Sequence, residues 1–84
     1  MLVTVRDLDS SIKSHLRDLI REEIFKKLRR LPLANETAEI ASCISPYLME
    51  KLEDEIKTYY RQLVERDVEC KITREDYVDI YLNR

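Results

Sequence analysis

The residues best equipped for chemistry are the basic run "FKKLRR", Phe25 to Arg30. Together with Arg21 it puts Lys26, Lys27, Arg29 and Arg30 within ten positions, against only Glu22 and Glu23. Such a cluster on one helix is what phosphate contacts use, and a two-fold dimer doubles it. Glu22 and Glu23, however, stand four residues before Lys26 and Lys27, the favourable order for intrahelical ion pairs. Positive charge near a helix C-terminus also complements the backbone dipole. The aromatic platforms and zinc or single-strand-binding motifs of nucleic-acid readers are missing. The run is therefore expected to be the solvated side of a helix, with nucleic-acid binding through these five residues as the alternative.

The tyrosines are the second group. Tyr59, Tyr60, Tyr77 and Tyr81 fall at core or boundary positions of two C-terminal helices, where their hydroxyls reach water. Tyrosine is also enriched at protein interfaces. With Phe25, Leu28, Val78 and Leu82 these four define a candidate protein-contact surface. His15 is the single histidine and sits on the polar flank of the first helix. Cys43 and Cys70 read as reduced thiols, since two cysteines are too few for a disulfide framework and have no zinc spacing. The carboxylate-rich stretches "EKLEDE" and "REDYVD" have the spacing of solvated helix faces, and a calcium loop needs a glycine that is absent. No catalytic constellation, metal or cofactor is expected.

Composition narrows the elements that must position these groups. Eighty-four residues make one domain, 1–84, and the chain contains no glycine. Ordinary usage is roughly 7% glycine, so phosphate-cradling loops, dinucleotide fingerprints and nucleophile elbows are excluded. An abundance of Leu, Ile, Glu, Lys and Arg predicts an all-α fold. Net charge is −2, divided mildly between a basic first half and an acidic second half. No apolar run is long enough to span a bilayer, and "MLVTVRDLDSS" lacks a signal-peptide plan. A soluble, intracellular protein without membrane contact is expected.

Four helices are predicted, at about 9–31, 36–44, 46–67 and 74–82. Residues 1–8, with the β-branched "LVTV", form an extended arm, and Asp7, Asp9 and Ser10 are alternative caps for the first helix. Ile12, Leu16, Ile20, Ile24 and Leu28 recur every four residues, a row suited to an inclined helix crossing. Pro32 ends that helix. Asn35 caps the second helix, and Ser45 with Pro46 starts the third. The third buries Met49, Leu52, Ile56, Tyr59 and Leu63. Thr73 and Asp76 form a capping box for the last, whose two apolar faces, Tyr77/Ile80/Tyr81 and Val78/Leu82, exceed what one small core needs. So small a chain gains stability by self-association, and a homodimer is expected.

"KITREDYV", Lys71 to Val78, following a long helix, resembles the link and third helix of histone-fold proteins. If Pro46 only kinks one long helix, the short-long-short order of that family fits residues 10–82. The resemblance implies a handshake dimer, often associated with DNA. The residues themselves predict a non-enzymatic interaction or regulatory protein that contacts a second copy of itself and an unidentified protein. A nucleic-acid-binding, histone-like dimer is the alternative.

Overall fold

The computed structural model describes residues 1–82; the last two residues of the predicted domain lie outside them. The described chain is mostly helical, with four helices and one short pair of strands. Strand β1 (Leu2–Val3) leads through a 3-10 turn (Val5–Asp7) into α1 (Ser10–Leu28). Then follow α2 (Thr37–Ser42), α3 (Pro46–Val64), β2 (Glu69–Cys70) and α4 (Arg74–Leu82).

The helix starts follow side-chain chemistry. Of the three candidate caps for α1, Asp9 is used, its Oδ1 accepting the Ile12 N–H at 3.0 Å. Asp7 instead closes the preceding turn, its Oδ2 accepting the Thr4 N–H at 2.9 Å. Ser45 Oγ accepts the Leu48 N–H at 3.1 Å with Pro46 in the first turn, so α3 starts where predicted. Thr73 and Asp76 exchange two bonds, Thr73 N–H to Oδ2 at 3.0 Å and Asp76 N–H to Oγ1 at 3.1 Å. Asn35 does not cap α2. Glu36 holds that position and spends its carboxylate on the connector before it, accepting the Leu33 N–H at 2.8 Å.

The ends of α1 and α3 come three residues earlier than predicted. Arg29 (φ 60°) and Glu65 (φ 54°) turn left-handed, and their N–H groups donate back to Phe25 and Arg61, each at 2.8 Å. Glycine is the usual residue for this stop, and the chain has none.

The core runs along the facing rows of α1 and α3. Ile12, Leu16, Ile20 and Ile24 oppose Leu48, Leu52, Ile56 and Tyr60, all buried. Both rows advance by four, the pattern of interdigitating i±4 ridges. The predicted α3 seam is thus partly corrected: Tyr60 is the buried member, Met49 and Tyr59 are half-buried, and Leu63 is 60% exposed. Helix α4 packs against α1 and α2, with Tyr77 and Ile80 in the core and Val78, Tyr81 and Leu82 packed on its edge. Both its apolar faces therefore find partners within the chain.

The arm is also corrected. β1 pairs in parallel with β2, Leu2 beside Glu69 and Val3 beside Cys70, and Val3 is fully buried. A β-branched residue with a hydrophobic slot in its own chain has no reason to extend into solvent. Because Pro46 opens a separate helix, the single long helix required by the histone-like order does not form.

Candidate interaction surface

Arg17, Arg21 and Phe25 follow one another at four-residue spacing on α1, each one position beyond the buried row. They therefore form a stripe about 100° round the helix from the core. Beyond Arg29 the chain leaves the helix, and Pro32 is buried with Leu31 and Leu33 exposed on either side of it. The Tyr81 hydroxyl donates to the Pro32 carbonyl at 3.0 Å, pinning this connector to α4. A cavity of about 390 Å³ opens between the three elements. Arg17 and Arg21 line it from α1, residues 31–33 from the connector, and Tyr81 with Leu82 from α4.

Three apolar side chains at this end of α1 and on the connector are open to water. Phe25 is 51% exposed, Leu31 37% and Leu33 67%. Arg17 and Arg21 have no ion-pair partner among the described residues. The Nε of Arg17 is shut off from solvent and makes no hydrogen bond there.

Lys26, Lys27 and Arg30 of the basic run are engaged within the chain. Lys26 lies 3.9 Å from Glu22 and 3.7 Å from Glu23. Lys27 does not pair with Glu23 as its spacing suggests; its Nζ donates to the Cys43 carbonyl at 2.6 Å, across to the end of α2. Arg30 forks onto Glu36, Nη1 to Oε1 at 3.1 Å and Nη2 to Oε2 at 2.9 Å, and also reaches Glu39. The fork, helped by the Leu33 N–H, holds the Glu36 carboxyl down at about 2. Of the five candidate phosphate contacts, Arg21 and Arg29 alone lack such a bond among the described residues.

The predicted contact residues divide. Phe25 is exposed; Leu28, Tyr59, Val78, Tyr81 and Leu82 are half-buried against the core. Tyr60 and Tyr77 are buried within the chain. The Tyr60 hydroxyl donates to the Asp7 carbonyl at 2.8 Å and accepts the Asp9 N–H at 3.2 Å. Tyr59 donates to Asp9 Oδ2 at 2.7 Å, a bond that lowers the Asp9 carboxyl below its ordinary range and raises the phenol. These two tyrosines are a clasp between α3 and the entry to α1.

His15 Nε2 sits 3.1 Å from Glu55 Oε2, an exposed link from α1 to α3. Cys43 and Cys70 are buried and unbridged. Burial, reinforced by the Glu53 carboxylate, pushes the Cys70 thiol up to about 11, which keeps it protonated and a poor nucleophile at neutral pH. No cluster of metal-ligand side chains occurs among the described residues, and no helix there is long and apolar enough to cross a membrane.

Sequence reasoning missed Arg17 and Leu33. Arg17 stands one turn before Arg21, and "LPL" places two leucines beside a proline in a connector. Neither signal says by itself that the connector folds back beside α1. Comparison with protein-family models, curated proteins and solved structures finds no match for this chain.

Proposed function

We propose that this chain is a non-enzymatic interaction and regulatory protein that works by protein–protein contact through the Phe25–Leu33 edge, a second copy of itself being the first partner to test. The observation behind this reading is the exposure of Phe25 and Leu33, each more than half open to water, where other apolar side chains of α1 are packed away. Leu31 and Leu33 stand together on the connector, and adjoining exposed apolar residues mark contact sites more often than single ones do. The pairing of Lys26, Lys27 and Arg30 inside the chain leaves a phosphate backbone less free charge to neutralise.

Mass by light scattering tests the proposal, on wild type and on a Phe25→Glu/Leu33→Glu variant, at low and high salt, with and without a short DNA duplex. A wild-type mass of two chains, indifferent to salt and duplex, and one chain for the variant with unchanged helicity are expected. A single-chain wild type removes self-association. A duplex-bound species that disperses with salt replaces this reading with the nucleic-acid alternative.

A further inference from the structure

We infer that the cavity between α1, the connector and α4 is a recognition site for an acidic side chain of a partner protein, presented beside apolar residues. The inference rests on reading this edge as a contact surface, and it names the chemistry of what binds there. Three observations carry it.

The first is charge without a counterion among the described residues. Arg17 and Arg21 stand four residues apart, where like charges repel, and both line the cavity. The nearest carboxylates further along α1, Glu22 and Glu23, approach Lys26 instead. On the other side of the connector, Glu36 is taken by Arg30. Asp18, between the two arginines, makes no ion pair with either, so among the described residues both guanidiniums are open to an anion.

The second is the state of Arg17. Its Nε–H is covered and has no acceptor among the described residues. Buried polar groups are ordinarily satisfied, so this guanidinium is held in place while undersatisfied. With Nε covered, the terminal Nη groups of Arg17 are the ones left to meet an incoming carboxylate, to which a planar guanidinium can offer two parallel N–H···O bonds.

The third is the apolar lining, which separates a carboxylate-bearing peptide from a phosphate backbone. Leu31, Pro32, Leu33 and Leu82 supply most of the wall opposite the arginines. A phosphodiester against these residues would lose hydration without an apolar group to set against them, whereas Leu or Phe flanking a Glu or Asp buries apolar surface on both sides. The volume of about 390 Å³ has room for one or two side chains. Tyr81 holds the connector wall in place through Pro32, so little ordering is needed on binding.

The test uses the full chain as bait for a phage-displayed library of random peptides, and the enriched peptide as a labelled probe in fluorescence anisotropy. Enrichment of Asp or Glu flanked by Leu, Ile or Phe is expected. Affinity of that peptide falls about tenfold or more in Arg17→Gln/Arg21→Gln, with thermal unfolding checked on both proteins. Changing the peptide's acid to its amide costs wild type a similar factor and the variant almost nothing, the non-additivity that identifies a direct pair. Arg21→Gln alone, at an exposed position, gives part of the loss should Arg17→Gln disturb folding. Enriched peptides that are purely apolar and bind both proteins alike overturn the acid site while leaving the edge as a contact surface. No enrichment also overturns it, and the Phe25→Glu/Leu33→Glu masses then decide separately whether the edge is used. Duplex binding that is lost in the arginine variants overturns it in favour of a phosphate site.

Discussion

The Tyr81 hydroxyl donates to the Pro32 carbonyl at 3.0 Å, joining residues 49 positions apart. This bond ties the connector to the last helix at the point where the chain has lost helical hydrogen bonding, and it fixes one wall of the arginine-lined cavity. Tyr81→Phe should cost about 1 kcal/mol in urea unfolding and speed amide exchange at Leu33. An unchanged midpoint with unchanged exchange would show that the connector is held by packing alone.

The Arg30–Glu36 fork gives the fold an acid-sensitive joint. The Glu36 carboxyl is held at about 2 against its ordinary 4.5. A depressed acid stabilises the folded state fully above its unfolded value and loses that contribution as pH falls through the folded one. Melting temperature is therefore expected to drop between about pH 4.5 and pH 2, and Arg30→Met should flatten this part of the profile. Equal slopes in the two proteins would rule the fork out as the source.

Tyr77 is fully buried, and its hydroxyl has no hydrogen-bond partner among the described residues. Burial pushes its ionisation far above the ordinary tyrosine range. Tyr77→Phe removes an unsatisfied polar atom and keeps the ring, so it should leave stability unchanged or raise it by up to about 1 kcal/mol. Tyr77→Ala should cost about 3–5 kcal/mol through the cavity it leaves. Destabilisation by the phenylalanine variant would mean that the hydroxyl finds a partner in solution, such as a buried water.

Two charged residues occupy the left-handed positions that stop α1 and α3. A side chain with a Cβ costs about 1–2 kcal/mol there, offset in part by the greater unfolded freedom of glycine. Glu65→Gly, on a residue without a side-chain bond among the described residues, should stabilise by about 0.5–1 kcal/mol in denaturant titration. Arg29→Gly should do the same and leave Arg17 and Arg21 untouched. Loss of stability in both would place the helix stops under other control.

Much of the architecture could be read from local chemistry. The row Ile12, Leu16, Ile20, Ile24 announced its own buried face, and the Ser45–Pro46 and Thr73–Asp76 signals fixed two helix starts. Elements that depend on distant partners could not be read this way. Val3 and Cys70 become strands because they meet, and neither segment alone encodes the encounter. Glu36 stands at the start of α2 without a side-chain cap, its carboxylate drawn to Arg30 and Leu33 instead. Tyr59 and Tyr60 read as core or boundary residues, but that their hydroxyls would reach Asp9 and Asp7 across 50 or more positions could not be read. The candidate site was half legible: Phe25, Arg21, Tyr81 and Leu82 were named from spacing, while Arg17 and Leu33 needed the fold of the connector to bring them beside α4.

The parallel strand pair has a consequence for synthesis. Residues 1 and 67 are bonded through Met1 N and the Asp67 carbonyl at 3.3 Å, across 66 positions. β1 is made well before its partner strand and must wait for it, because β2 follows all of α3 in the chain. Until then the slot that Val3 fills stands open, and α1 and α3 must hold together without it. Closing so long a loop carries an entropic cost that local helix formation does not. Pulse-labelled stalled chains ending before and well after Cys70 should differ in protease resistance at residues 1–8, with that stretch guarded only in the longer ones.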